Sequence, residues 1–214
     1  MDNFKFHAYT EMLFGKGEIK NLPEALSRHG KNVLLVYGGG SIKKNGIYDS
    51  IQNLLKDFNI VELSGVEPNP RIETVRKGVE LCKEHNIDVI LAVGGGSTID
   101  CSKVIAAGRY YDGDAWDIVL DSSKITNALP IVTVLTLAAT GSEMNKGAVI
   151  SNMETNEKLG TGAPCMAPQT SILDPEYLYT LPAIQTAAGT ADIMSHLFEN
   201  YFKKTTDAFV QDKI

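Results

Sequence analysis

Asp192 and His196 stand four residues apart in Ala191-Asp192-Ile193-Met194-Ser195-His196. On a helix that spacing puts a carboxylate and an imidazole on one face, one turn apart, where both reach a single divalent ion. Mixed oxygen and nitrogen donors suit Fe²⁺ or Zn²⁺ better than Ca²⁺. An exposed Asp/His pair, or a helix contact, accounts for the same spacing. Two ligands do not close a site. Of the other histidines, His7 falls in a strand-like start and His29 and His85 at helix C-termini, where cationic side chains are ordinary. The site is therefore completed elsewhere or absent.

A second chemistry is written in Val89-Ile90-Leu91-Ala92-Val93-Gly94-Gly95-Gly96-Ser97-Thr98-Ile99-Asp100. The apolar, partly β-branched opening is that of a parallel strand covered on both faces. Gly94, Gly95 and Gly96 free the backbone for positive φ and let a bulky anion approach. Ser97 and Thr98 are placed to cap the helix that follows, whose unpaired amides and dipole attract phosphate oxygens. The spacing only partly meets the general G-x-G-x-x-G fingerprint, and a plain tight turn explains it equally well.

Other residues offer less. Leu135-Thr136-Leu137-Ala138-Ala139-Thr140-Gly141-Ser142-Glu143 follows a buried strand with small and hydroxyl side chains that admit a ring or phosphate close to the backbone, or simply a turn. Lys158 and Tyr179 are isolated polar groups near strand ends, for which solvation is the plainer reading. There is no G-x-x-x-x-G-K-[ST] and no G-x-S-x-G, so neither a P-loop nor a serine hydrolase is supported.

The elements that must position these groups alternate along the chain. After a β-prone start at 4–14, a helix runs over 18–29 to Gly30 and a strand over 32–37. A helix then occupies 47–58, a strand 60–63, a helix 72–85, a strand 88–93 and a helix 98–108. This spacing predicts a parallel sheet wound by helices on both faces, an α/β, Rossmann-like fold. A long strand at 128–137 and short strands at 148–151, 158–161 and 171–173 extend or decorate that sheet. Leu181-Pro182 then breaks the pattern, and 183–202 reads as one long helix. The boundary falls near residue 181, giving a dinucleotide-type domain over 1–181 and the start of an all-helical domain over 182–214. A second glycine turn, Tyr37-Gly38-Gly39-Gly40-Ser41, repeats the first, and both belong at the carboxyl end of one sheet.

The 214 residues, 43% hydrophobic and 21% charged, fill one good core or one domain and part of another. A net charge of −6 argues against a nucleic-acid partner, because no basic stripe exists to displace counterions. Three cysteines, Cys82, Cys101 and Cys165, lack C-x-x-C spacing and fit a reducing cytoplasm. No apolar leader opens the chain, and no stretch approaches the roughly 20 apolar residues of a membrane span.

Taken in order, Gly94 to Asp100, Thr136 to Glu143, Leu173-Asp174-Pro175 through Leu181-Pro182, and Gly189-Thr190-Ala191-Asp192 with His196 resemble the iron-containing (group III) alcohol dehydrogenases. The turn at 37–41 and Gly65-Val66-Glu67-Pro68-Asn69-Pro70 are similar to the butanol dehydrogenase branch. The resemblance implies that Gly94, Gly95, Gly96 and Ser97 hold a pyrophosphate, with Asp100 closing the same string, and that Gly38, Gly39 and Ser41 surround the adenosine ribose. It implies that Asn69, Thr136, Leu137, Ser142, Val149, Lys158 and Tyr179 line the rest of the cofactor cleft. Asp192 and His196 match its first two metal ligands, for Fe²⁺ or Zn²⁺.

Members of that family are roughly twice as long, and their two remaining ligand histidines lie beyond the position of Ile214, so the chain reads as a fragment or truncated product. The implied reaction is hydride transfer between NAD(P)(H) and a small alcohol or aldehyde such as butanol or butyraldehyde, in a cytoplasmic protein that is a homo-oligomer, a dimer, at full length. No acid in the first glycine turn repels a 2′-phosphate and Lys43 and Lys44 are near, which favours NADP(H) with NAD(H) open. The alternatives are a non-catalytic dinucleotide-binding module and a glycerol-type dehydrogenase of the same fold.

Overall fold

The computed structural model describes residues 7–203. In chain order the regular elements are β1 (Glu11–Phe14), α1 (Leu22–Ser27), β2 (Asn32–Tyr37), α2 (Ser41–Lys44), α3 (Ile47–Leu54), β3 (Asn59–Leu63), α4 (Ile72–Glu84), β4 (Val89–Gly94), α5 (Gly96–Gly108) and α6 (Ala115–Leu120). They continue through β5 (Ile131–Leu135), β6 (Gly147–Asn152), β7 (Glu157–Gly162), β8 (Thr170–Leu173) and α7 (Ala183–Tyr201). Six strands form one parallel sheet in the order β1-β8-β5-β4-β2-β3.

Alternation along the strands decides what covers each face. Leu34, Val36 and Ile90 point into a cluster with α4, α5 and α6. Val33, Leu35, Val89, Leu91 and Val93 point the other way, onto α1, α2 and α3. The sheet is therefore doubly wound, and β4 is buried at every residue, as its unbroken apolar run requires.

The structure corrects several boundaries, each for a local reason. The first helix splits at Pro23, which lacks an amide proton, leaving a 3-10 turn at Glu18–Asn21 before α1. The helix expected over 47–58 stops at Leu54, and the chain turns at Leu55 so that Asn59 can enter the sheet. The strand expected over 128–137 is shorter, because Pro130 has no N–H to give. Its carbonyl accepts from Ile90 N–H, and ladder pairing begins at Ile131.

The strands at 148–151 and 158–161 do not extend the sheet. They are β6 and β7, a separate antiparallel hairpin turned at Asn156, which has φ +57°. Helix α6 was not foreseen, although Asp114 supplies a plain N-cap by accepting from Trp116 N–H at 2.8 Å. Residues 4–6 of the β-prone start and the helix-like segment at 206–214 lie outside the described residues. No helix among the described residues is long and apolar enough to cross a membrane.

Candidate functional site

The chain leaves β2 for β3 on one side and returns to β4 on the other, so strand order reverses between β2 and β4. A crevice opens beyond the carboxyl ends of strands at such a reversal. Both glycine turns flank it. After β2, Gly40 holds φ +99° and caps α2, and Gly65 N–H and Val66 N–H tie back to Gly38 O and Tyr37 O.

After β4 the glycines do something else. None of Gly94, Gly95 and Gly96 has positive φ, so the backbone freedom expected of them is not used. They are needed for space: a Cβ on Gly94 would lie 2.7 Å from Thr98 Cβ, one on Gly95 3.0 Å from Leu137 Cβ, and one on Gly96 2.5 Å from Thr140 Oγ1. Nor do Ser97 and Thr98 cap α5. The helix starts at Gly96 with Gly95 as its N-cap and no side-chain cap, so both hydroxyls sit within the first turn. Ser97 Oγ instead accepts from Asn69 N–H at 3.3 Å.

A cleft of about 820 Å³ opens over the α5 N-terminus, walled on the far side by the β6–β7 hairpin. Asn69, in left-handed backbone at φ +58°, bridges its two walls. Its amide meets Ser97, and its Oδ1 accepts from Lys158 Nζ at 2.7 Å. Asp100 anchors the hairpin from α5, accepting from Ser142 Oγ at 2.6 Å and from Val149 N–H at 2.9 Å. Burial raises the Asp100 carboxyl above the usual range, opposed by those two hydrogen bonds and by Lys103 and Lys158. A smaller recess of about 280 Å³ lies over the β2 and β4 ends, where Gly38, Ser41, Gly94, Gly95, Thr136 and Leu137 meet.

Helix α7 comes to the same place by one close contact. Gly189, its buried residue, lies where a Cβ would come within 2.6 Å of Ala138 O. That approach brings Asp192 and His196 to the mouth of the larger cleft, with Asp192 Oδ2 and His196 Nε2 3.7 Å apart and the side chains 42% and 52% exposed, respectively. The pair is one carboxylate oxygen and one imidazole nitrogen, donors that suit Fe²⁺ or Zn²⁺. Among the described residues no group of three or more His, Cys, Asp or Glu is placed to hold an ion.

The fold thus gathers Asn69, Gly96, Ser97, Asp100, Ser142, Val149, Lys158, Asp192 and His196 around one cleft, and six more of the expected residues around the adjoining recess. Gly39 and Tyr179 line neither, and Tyr179 is 78% exposed at the end of a 3-10 turn. Sequence reasoning missed Lys103, Asn145 and Lys146, and held Thr140 only as part of the 135–143 segment. Only Lys103 carried a signal, a lone charge inside the otherwise uncharged stretch 101–108.

The model of the family described as "Iron-containing alcohol dehydrogenase" matches residues 10–175. The chain belongs to the iron-containing alcohol dehydrogenase family. Within that family it is 62% identical to NADH-dependent butanol dehydrogenase A of Clostridium acetobutylicum, over 100% of this chain and 56% of that protein. It is 44% identical to the NADPH-dependent aldehyde reductase YqhD of Escherichia coli, again over 100% of this chain and 56% of the relative. The crystal structure of NADH-dependent butanol dehydrogenase A from Thermotoga maritima superposes with a TM-score of 0.94 at 43% identity, over 100% of this chain and 54% of that one. The chain spans about half the length of the curated relatives it matches. The likeness to butanol dehydrogenases read from the motifs agrees with these names, and the parallel sheet is that of solved iron-containing alcohol dehydrogenases.

Proposed function

We propose that this chain is the dinucleotide-binding part of a metal-dependent alcohol dehydrogenase or aldehyde reductase acting on small primary alcohols and aldehydes of the butanol and butyraldehyde kind. The observation that carries the reading is a single cleft that runs from the N-terminus of α5 to the Asp192–His196 pair. Its volume is within the usual range for cofactor and ligand sites. Its floor is the amide end of a helix, which favours phosphate oxygens, and Lys146 and Lys158 add positive charge on the opposite wall.

In this reading Gly95, Gly96 and Ser97 receive the diphosphate, with Gly94 keeping the strand end close to α5. Gly38, Gly39 and Ser41 take the adenosine ribose. Thr136 and Leu137 close the β4 end against water, and Ser142, Val149, Lys158 and Asn69 form the remaining walls. Tyr179 is assigned to the cleft only through family resemblance. Asp192 and His196 hold the ion together with ligands outside the described residues. When bound, the dinucleotide supplies the redox couple and the ion supplies Lewis acidity at the substrate oxygen.

The first glycine turn favours NADP(H). Glu62, the acid beside it, already accepts from Tyr37 OH at 2.6 Å and Tyr48 OH at 2.5 Å, so it is engaged rather than free for a ribose hydroxyl. Lys43 stands 4.5 Å from the Tyr48 ring centroid on the same side. Of the relatives above, the two butanol dehydrogenases are named for NADH and the aldehyde reductase for NADPH, so NAD(H) is the competitor.

Residues 1–181 form the dinucleotide-binding domain in this reading, and 182–214 open a helical, metal-binding one. In support, α7 leaves the sheet with Gly189 as its buried residue. The cysteines Cys82, Cys101 and Cys165 are free thiols, in keeping with a cytoplasmic enzyme, and the whole protein is assigned as a homo-oligomer. Fluorescence titration of this chain with NADPH and NADH tests the reading. Saturable binding is expected, tighter for NADPH. A clear preference for NADH overturns the cofactor order, and no binding of either overturns the function. With the whole protein, glycerol preferred over butanol overturns the substrate assignment.

A further inference from the structure

Lys103 lies on α5, three residues after Asp100, and its side chain is fully buried. Its Nζ donates to Ser142 Oγ at 2.9 Å, to Asn145 Oδ1 at 2.9 Å and to Gly147 O at 2.8 Å. An ammonium has three N–H groups and no lone pair, so each proton has its acceptor and Ser142 Oγ can only accept from it. The single Ser142 proton is then committed to Asp100 Oδ1, at 2.6 Å, while Asp100 Oδ2 accepts from Val149 N–H. The result is a chain of donation from Lys103 through Ser142 that ends on Asp100, whose other oxygen accepts from the backbone of β6.

We infer that Lys103 is a positioning residue whose ammonium sets the direction of this chain, and so fixes the 141–145 turn and the β6–β7 hairpin opposite the α5 N-terminus. The inference rests on the dinucleotide reading of the cleft, because the wall it holds carries Val149 and Lys158. A buried cation is costly unless paired and hydrogen-bonded. Retaining one here, where Met would fill similar space, points to a task beyond packing.

The groups facing Lys103 are Asp100 on its own helix and Glu143 on the 3-10 turn, both favouring the ammonium, and Lys158 bears on Asp100 from the hairpin. Burial outweighs them and brings the Lys103 pKa down to about 8. Above that value the neutral amine has only two N–H groups and gains a lone pair. The Ser142 proton then has two competing acceptors, and the direction of the chain is lost.

The test compares wild type, Lys103→Met and Ser142→Ala by amide hydrogen exchange and by NADPH affinity, one pH unit below and one above that pKa. In Lys103→Met, β6–β7 exchange is expected to quicken by at least about tenfold with β4 unchanged, and Kd to rise by a similar factor, as for loss of a charged hydrogen bond. The wild-type Kd is expected to rise several-fold with pH, and Lys103→Met to lose that dependence. Ser142→Ala is expected to show a smaller loss of the same kind. Wild-type-like exchange and affinity in Lys103→Met overturn the inference. If that variant does not fold, a flat wild-type pH profile with unchanged hairpin exchange in Ser142→Ala overturns it instead. A wild type that binds no dinucleotide while Lys103→Met still loosens the hairpin overturns the cofactor reading and leaves the positioning role standing.

Discussion

Two stretches of this chain spell nearly the same thing, Tyr37-Gly38-Gly39-Gly40-Ser41 and Val93-Gly94-Gly95-Gly96-Ser97, each at the end of a central parallel strand. Around the first, the glycines stand in open space: nothing lies within 4 Å of a Cβ on Gly39 or Gly40, and Gly40 is required by its φ of +99°. Around the second, backbone conformation is ordinary and space is the constraint, because Thr98, Leu137 and Thr140 press on all three positions. The same letters therefore serve conformation in one turn and close packing in the other. The difference follows from what crosses above each turn. The 136–141 segment lies over the β4 turn, whereas the β2 turn opens to the recess.

Substitutions at these glycines sharpen or break that contrast, and their expected effects fall in order. Gly94→Ala meets Thr98 Cβ, an atom fixed to the α5 backbone, and is expected to cost about 1–3 kcal/mol by overpacking. Denaturant unfolding reads that loss, and NADPH titration is expected to show affinity falling with it. Gly96→Ala meets the end of the exposed Thr140 side chain, which can turn away. A stability loss of about 1 kcal/mol is expected, with a larger relative loss of dinucleotide affinity because the α5 amide end is obstructed.

Gly40→Ala strains the backbone without any clash. It is expected to lose about 1 kcal/mol and to weaken binding only through the tilt of α2. Gly39→Ala has neither clash nor positive φ, and thermal unfolding should place it within about 0.5 kcal/mol of wild type. A Gly39→Ala variant as damaged as Gly94→Ala would show that the two turns are constrained alike after all.

The sheet was legible because burial on both faces leaves a continuous apolar run, as in 33–36 and 89–93, which few other arrangements tolerate. The Asp192–His196 pair was legible because helical spacing is local, and both residues do share a face of α7. Lys103 was not, since a lysine in a helix reads as solvated until the packing of Ser142, Asn145 and Gly147 around it is known. The hairpin was misplaced for a similar reason. Alternating short strands carry no mark of which partner they pair with, and β6 and β7 pair with each other.

Though not enough for α6 or for the pairing of β6 with β7, the sequence alone was enough for most of the strands and helices of the parallel sheet and for the residue types available to phosphate and metal. Those properties depend on period and side-chain chemistry within a dozen residues. Only the tertiary structure decided that Gly94 to Gly96 are demanded by space, that Asn69 bridges two walls, and that Gly189 lets α7 bring Asp192 and His196 to the cleft. Apart from Gly94, which is crowded by Thr98 four residues on, each of these depends on contacts between residues 28 to 89 positions apart, or on the approach of one backbone to another. Such contacts arise from how the layers close on one another, and no local pattern encodes them.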